Sequence, residues 1–229
     1  MVVGGLQRSS LSDFPGLISA IVFTRGCGFR CPYCHNPELV DPSRYAPEFP
    51  LPALWKFLRS RRGLLKGVVV TGGEPTTHAD LPEFLAELKD MGFAVKLDTN
   101  GTNPRLLLRV MAERLVDFIA MDIKAPPALY AATVNAAVDM KDILRSIELV
   151  LGSGLPHEFR TTWVPSLLTG GDILAIAGLL KGCDRYVLQS FRPTGVLDPS
   201  LESRPPRDDS LLCDLVQTVL ATGVRIAMR

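Results

Sequence analysis

The sequence predicts an α/β fold built as an open, partial (βα)6 TIM-like barrel of parallel strands. Six short apolar segments, each about the length of one buried strand, recur along the 229 residues. Between them lie helical patterns with apolar residues every three or four positions, which is typical of βα units. The chain is 47% hydrophobic, and α/β barrels of this length form undivided. We therefore expect a single domain over residues 1–229.

The predicted strands begin with ISAIVFT (18–24), which leads directly into a loop rich in cysteine. Six βα units are too few for a complete eightfold barrel, so we expect the barrel to be curved and open. A last short segment, GVRIAMR, is predicted to flank the sheet. The other five predicted strands are KGVVVTG (66–72), FAVKLDT (93–99), FIAMDIK (118–124), EFRTTWV (158–164) and RYVLQSF (185–191).

The predicted helices fill the intervals between these strands. The best-defined apolar stripe lies within residues 81–88, and Asp80 with Glu83 has the spacing of a capping box at its start. A second stripe runs over residues 140–151. Further helices are predicted around 54–58, 107–115, 173–180 and 211–220.

Charge and composition exclude several classes of protein. The net charge is +1 and no basic stripe stands out, so we expect no nucleic-acid partner. No stretch reaches the length of a membrane span, and the N-terminus lacks the pattern of a signal peptide, so we expect no membrane association. Five cysteines with three bunched together do not form a disulfide framework, which favours a reducing, cytoplasmic location.

Three of the five cysteines, Cys27, Cys31 and Cys34, crowd into RGCGFRCPYCHN and indicate a metal site. A four-iron four-sulfur cluster normally takes four cysteine ligands, so three leave one iron free for an outside ligand. Structural zinc needs four protein ligands, and His35 is the candidate for the fourth. Adjacent residues rarely bind the same metal, and the two-pair spacing of zinc modules is absent. An open cluster is favoured over zinc.

The segment TGGEPTTH follows the second predicted strand. Chemistry in such folds collects at the carboxyl ends of the strands. Gly72 and Gly73 remove side chains where the backbone could approach a ligand, while Pro75 fixes the turn after Glu74. His78, in the same segment, is expected to be an ordinary loop or cap histidine.

The third and fourth predicted strands end in further polar residues. Oxygen ligands such as the carboxylates of Asp98 and Asp122 and the hydroxyl of Thr99 suit a simple cation. Asn100 and Lys124 could hold ribose hydroxyls or a carboxylate.

The cysteine segment resembles the radical S-adenosylmethionine (SAM) enzymes. Their pattern is C-x3-C-x-aromatic-C, and Tyr33 supplies the aromatic residue here. The resemblance implies the radical SAM fold, with Cys27, Cys31 and Cys34 as catalytic ligands of a 4Fe-4S cluster and SAM on its fourth iron. Electron transfer from the cluster would then cleave SAM to a 5'-deoxyadenosyl radical. Tyr33 and Asn36, within the motif, are expected to contact SAM.

Three segments outside the cysteine loop add to the resemblance. GGEP (Gly72, Gly73, Glu74 and Pro75) is similar to the segment that receives the amino group of SAM. DTNG and D-x-K resemble the glycyl-radical-enzyme activating enzymes, a branch of the superfamily. In that branch the residues matching Asp98, Thr99 and Asp122 form a monovalent cation site, and Asn100 and Lys124 belong to the same two motifs.

The later strands extend the resemblance from about Leu11 to Pro193. Arg160 and Thr162 lie in RTTWVP, which is similar to the R-x-x-x-V-P strand that contacts the methionyl part and adenine. Gln189, Phe191 and Arg192 in LQSFRP match an adenosine-side position. LSDFPGL before the first strand is typical of activators of pyruvate formate-lyase and of the anaerobic ribonucleotide reductase.

The resemblance implies an activase that removes a hydrogen atom from a glycine of a large glycyl radical enzyme. The segment Q-x-F-R-P-x-G-x-L-D-P and the lack of an extra cysteine-rich module favour the anaerobic ribonucleoside-triphosphate reductase as partner. A pyruvate formate-lyase type activator and a radical SAM enzyme for a small molecule are the alternatives. We expect a flavodoxin or ferredoxin type electron donor. Residues 37–50 and 193–208 are the expected mobile rims, and Cys183 and Cys213 are expected to pack as small hydrophobic residues.

Overall fold

A computed structural model describes residues 1–203 and 209–229, and one eight-stranded sheet runs through them. The strands lie side by side in the order of the chain. The first strand pairs antiparallel with the second, and every later pair is parallel. The strands are β1 (Val3–Ser10), β2 (Ser19–Thr24), β3 (Gly67–Gly72), β4 (Ala94–Thr99), β5 (Phe118–Asp122), β6 (His157–Trp163), β7 (Tyr186–Ser190) and β8 (Ile226–Met228).

Eight helices connect the strands in the described part of the chain. They are α1 (Pro37–Val40), α2 (Leu51–Ser60), α3 (Leu81–Asp90), α4 (Pro104–Ala112), α5 (Tyr130–Val134), α6 (Met140–Leu151), α7 (Gly170–Leu179) and α8 (Asp209–Leu220). None of the helices described is long and apolar enough to span a bilayer. Residues 204–208 of the predicted rim 193–208 lie outside the described residues.

The α/β architecture with six consecutive parallel strands is confirmed, and β8 flanks the sheet as predicted. The antiparallel edge strand β1 was missed. Its sequence, VGGLQRSS, is buried only at its two ends, with three half-buried and then three exposed positions between them, and it holds no apolar run. An edge strand with one solvated face gives only a weak hydrophobic signal, whereas fully buried parallel strands give continuous apolar runs.

The capping box predicted at the start of α3 is wrong. Asp80 precedes the helix but caps none of its backbone amides, because its carboxylate pairs with the N-terminal ammonium of Met1. Glu83 pairs instead with Arg109 of α4, at 3.0 Å. Ion pairs with residues far away in the sequence have therefore replaced the hydrogen bonds of the predicted capping box.

The prediction for Cys183 and Cys213 is half right. Cys183 is buried, as expected for a small hydrophobic residue, but Cys213 is exposed. Helix α8 turns Leu212 and Leu215 towards the core, and Cys213 falls on the solvent side.

The sheet separates a large apolar core from a smaller one. The large core lies between the sheet and the helices. The smaller one is formed by Phe14, Ile21 and Val69, with Leu17 and Phe118 packed against it. Successive strand residues point to opposite faces, so these side chains and the polar residues at the strand ends share the inner face.

The segment LSDFPGL fills the inside of the sheet at the amino ends of the strands. Phe14 is 5% exposed, and its ring meets that of Phe118, the first residue of β5, edge to face at 6.1 Å. A Cβ on Gly67, the first residue of β3, would come within 2.8 Å of the Phe14 ring. We refer to Phe14 and Leu17 as the barrel plug.

Candidate active site

A cavity of about 260 Å³ opens at the carboxyl ends of the parallel strands. Cys27, Cys31 and Cys34 all line it. Among the predicted residues, Pro75, Phe191 and Arg192 lie outside its wall. Phe29, Val40 and Thr71 join it without having been predicted, and so does His35, which the sequence suggested only as a zinc ligand. The other predicted residues in the wall are Tyr33, Asn36, Gly72, Gly73, Glu74, Asp98, Thr99, Asn100, Asp122, Lys124, Arg160, Thr162 and Gln189.

Three backbone hydrogen bonds tie the cysteine loop to two other parts of the chain. The amide of Arg30 donates to the carbonyl of Val134 at the end of α5, at 2.9 Å. The carbonyls of Pro32 and Cys34 accept from the amides of Asp198 and Leu197, each at 2.9 Å. These bonds place the loop over the strand ends without using any of the three thiols.

The sulfur of Cys27 accepts two weak hydrogen bonds. The donors are the amide of Phe29, at 3.3 Å, and the side-chain Nδ2 of Asn100, at 3.8 Å. Hydrogen bonds to sulfur are one of the means by which proteins set the potential of an iron–sulfur cluster. Asn100 therefore lies beside a predicted cluster ligand.

Burial opposes the thiolate form of the three cysteines. Burial raises the pKa of Cys27 to about 12 and that of Cys31 to about 11, with Lys124 acting in the opposite direction on both. Burial raises the pKa of Cys34 too. Metal binding needs thiolates, so a cluster would have to supply the charge that stabilises them.

A single zinc ion fits this site less well. No three His, Cys, Asp or Glu side chains in the described part of the chain are arranged around one metal ion. His35, the candidate fourth zinc ligand, lies with its Nε2 2.8 Å from the carbonyl oxygen of Arg192.

Gly72 and Gly73 are needed because backbones meet at this point. A Cβ on Gly72, whose φ is +121°, would come within 2.4 Å of the backbone of Thr24, and one on Gly73 would come within 2.1 Å of the carbonyl oxygen of Gly26. Room for a ligand, which the sequence analysis gave as the reason for these two glycines, is therefore an incomplete explanation. The two glycines first of all let the end of β3 press against the start of the cysteine loop.

Glu74 joins the loop after β3 to the loop after β4. Its side chain is buried, and Oε1 accepts from Thr76 N and Oγ1 and from Thr99 Oγ1. Its other oxygen, Oε2, accepts from the amide of Asn100, at 2.6 Å. Burial raises the pKa of Glu74 in spite of these hydrogen bonds.

Pro75 begins a short 3-10 turn, Pro75–Thr77, behind the cavity wall. His78 follows that turn, and its Nε2 lies 2.8 Å from the carbonyl oxygen of Arg25. It is the loop histidine that the sequence suggested, and it braces the approach to the cysteine loop.

A layer of ion pairs lies below the cysteine loop. Arg160 donates from Nε to Asp122, at 2.7 Å, and from Nη1 to Asp98, at 3.0 Å. Lys124 pairs with the other oxygen of Asp122, at 3.0 Å. Burial alone would raise the pKa of both aspartates, but Arg160 outweighs it, with help from Lys96 at Asp98 and Lys124 at Asp122, and both pKa values fall below their usual range.

Thr162 and Gln189 form the wall opposite the glycines. They are register partners on β6 and β7 and both face the cavity. Tyr33 is buried in the cysteine loop, and burial raises the pKa of its hydroxyl.

Lys96 and Glu158 are two buried charged residues of the inner face that the sequence reasoning missed. Each stands two residues before a predicted site residue on the same strand, Lys96 before Asp98 and Glu158 before Arg160. That spacing puts both on the inner face. A charge inside an otherwise apolar strand was the available signal.

Comparison with known proteins places this geometry in a family. The profile of the Radical SAM superfamily matches residues 21–179, more than half of the chain. A putative glycyl-radical enzyme activating enzyme of Methanocaldococcus jannaschii is 31% identical over 92% of this chain and 88% of its own length. The pyruvate formate-lyase-activating enzyme of Clostridium pasteurianum is 31% identical over 79% of this chain and 78% of its own length.

A similar fold occurs in SuiB of Streptococcus suis, crystallised with its precursor peptide SuiA. The TM-score is 0.72 at 14% identity, over 91% of this chain and 48% of that one. Since radical SAM enzymes use a 4Fe-4S cluster and SAM, the match implies both cofactors here. The chain belongs to the radical SAM superfamily, in its branch of glycyl-radical-enzyme activating enzymes.

Proposed function

We propose that the chain activates an anaerobic ribonucleoside-triphosphate reductase by removing one hydrogen atom from a glycine of that enzyme. The convergence of the strand-end residues on the same cavity as the three thiols carries the proposal. Five parallel strands and the loop after β2 contribute to that wall, so it is a constructed site rather than a chance cleft.

In this proposal Cys27, Cys31 and Cys34 hold the cluster. When bound, the reduced cluster and SAM supply a 5'-deoxyadenosyl radical, the species able to remove the glycine hydrogen. Asn100 and the amide of Phe29 direct donors at the sulfur of Cys27.

The remaining wall residues bind and orient SAM. Lys124 and Arg160 carry the positive charge that suits its carboxylate. Thr162 and Gln189, paired across two strands, offer polar groups to its adenosine part, together with Tyr33 and Asn36. Gly72, Gly73 and the Glu74–Pro75 turn form the side that receives its amino group.

The site also protects a reactive species from water. Tyr33, Glu74, Thr99 and Asn100 are all at most 5% exposed. The hydrogen bonds of Glu74, Thr99 and Asn100 fix the loops around the cavity before any ligand arrives. Excluding water suppresses side reactions.

Two features of the sequence favour the reductase as partner. No cysteine lies between Cys34 and Cys183, so the chain offers ligands for one cluster in this region. The segment 189–199 has the form Q-x-F-R-P-x-G-x-L-D-P. A flavodoxin or ferredoxin is the proposed electron donor, and pyruvate formate-lyase is the alternative partner.

The test uses reconstituted protein under anaerobic conditions with SAM, a reductant and a partner enzyme labelled with deuterium at glycine. We expect deuterium in the 5'-deoxyadenosine and a glycyl radical signal in the electron paramagnetic resonance spectrum of the reductase. Cys31→Ala should abolish both. Cys213→Ala is the matched control, because Cys213 is exposed and distant in sequence from the cluster loop.

The other outcomes are informative. A glycyl radical signal in pyruvate formate-lyase but not in the reductase would identify pyruvate formate-lyase as the partner. Formation of 5'-deoxyadenosine without deuterium from either enzyme would indicate a small-molecule substrate. No 5'-deoxyadenosine at all would refute the proposal.

A further inference from the structure

The carboxylates of the expected monovalent cation site already face cations of the chain itself. The oxygens of Asp98 lie 2.5 Å from Lys96 Nζ and 3.0 Å from Arg160 Nη1. Those of Asp122 lie 2.7 Å from Arg160 Nε and 3.0 Å from Lys124 Nζ. Every carboxylate oxygen of the expected site therefore has a cationic partner.

Thr99, the third expected ligand, is turned away from that layer. Its hydroxyl donates to Glu74 Oε1, at 2.7 Å, and accepts from the amide of Gly101, at 3.1 Å. Both partners belong to the loops after β3 and β4. The hydroxyl has a structural task, so the residues present do not fit a further cation.

Lys96 is held in place from several sides. Its side chain is 1% exposed, and Nζ lies 4.0 Å from Glu158 Oε1 as well as 2.5 Å from Asp98. The ammonium also lies over the ring of Phe118, 5.7 Å from its centroid. An ammonium between two carboxylates and an aromatic face is well stabilised as a cation.

Glu158 adds a second observation. Both of its oxygens are buried and hydrogen-bond to no residue in the described ranges. Its neighbours are cations: Lys96 and Arg160, each at 4.0 Å, and Arg229, at 3.8 Å. A buried carboxylate in this setting balances charge.

The inner charges are already balanced. Lys96, Lys124 and Arg160 stand against Asp98, Asp122 and Glu158, and Arg229 is a fourth cation at the edge, 37% exposed. A metal ion at Asp98 and Asp122 would add positive charge next to three buried cations, at carboxylates that those cations already engage.

We propose that Lys96, together with Arg160, takes the place of the monovalent metal ion, so that this chain binds SAM without Na⁺ or K⁺. The inference deepens the proposed function, since SAM is the ligand concerned. Lys96 is a positioning residue that fixes Asp98 and, through Glu158 and Asp98, the guanidinium of Arg160.

The first test is made on the cluster-free protein without SAM. Melting temperatures are compared in NaCl, KCl and choline chloride at equal ionic strength, which keeps screening constant. We expect the wild type to melt at the same temperature in all three salts. Lys96→Met removes one cationic partner from Asp98 and one from Glu158, so we expect it to melt at a higher temperature in NaCl or KCl than in choline chloride.

Lys89→Met is the matched control. Lys89 also pairs with an aspartate, Asp117, at 2.6 Å, but both side chains are partly exposed and distant from the cavity wall. The Lys89→Met variant should melt at the same temperature in NaCl, KCl and choline chloride. A wild type that is itself stabilised by Na⁺ or K⁺, with Asp98→Asn removing the effect, would overturn the proposal, as would a folded Lys96→Met variant without cation dependence.

A second measurement tests the proposal even if the Lys96→Met variant does not fold. SAM affinity of the reconstituted wild type should agree within twofold between KCl and choline chloride, and a tenfold weaker affinity in choline would overturn the proposal. The melting experiment involves neither SAM nor a partner enzyme. Failure of the proposed function would therefore leave its result intact.

Discussion

Single residues fix the site more tightly than their chemical types suggest. Gly73 is an example, because the nearby carbonyl oxygen of Gly26, rather than a ligand, leaves no room for a side chain at this position. Glu74 is another, since its four hydrogen bonds join two loops. Motif residues can thus serve the geometry of a site as well as contact with its ligands.

Gly73→Ala should separate β3 from the cysteine loop. The added Cβ would lie 2.1 Å from the Gly26 oxygen, and such overpacking costs about 1–3 kcal/mol. We expect a lower melting temperature and a clear loss of iron and sulfide per chain after reconstitution. Gly28→Ala, in the cysteine loop itself, is the control, because its Cβ would meet nothing within 4 Å. Normal iron content in Gly73→Ala would contradict this account.

At the scale of elements, the sequence identified the six buried strands but not β1, and the difference is physical. Strands covered on both faces are continuous apolar runs, whereas β1 is an edge strand with polar positions exposed. The cavity wall could be predicted because parallel strands end at one rim. The ion pairs within it could not, since they depend on the relative register of β4, β5 and β6.

The barrel plug gives a prediction for one short segment. Phe14 is 5% exposed between β3 and β5, so Phe14→Ala should leave a cavity and cost about 3–5 kcal/mol of unfolding free energy. Denaturant unfolding measures the change. Leu11→Ala, at a side chain that is 81% exposed, should stay within about 0.5 kcal/mol of the wild type. Equal effects of the two substitutions would mean that Phe14 is not a packing residue.

At the scale of the whole molecule, cluster binding should stabilise the fold. The cysteine loop is bonded to Val134, Leu197 and Asp198, so a ligand that orders it acts on distant parts of the chain. For a domain of this size each kcal/mol raises the melting temperature by about 2–4 °C. We expect the reconstituted protein to melt above the iron-free protein, and Cys31→Ala to show no difference. Identical melting of both wild-type forms would exclude this coupling.

The order of the sheet has a consequence for biosynthesis. Because the strands are neighbours in space in the order in which they are made, the site is assembled progressively as the chain leaves the ribosome. The three thiols emerge early, but Gln189 and the Leu197–Asp198 backbone that completes their surroundings are made much later. A nascent chain therefore exposes its three thiols before the residues that shelter them have been made.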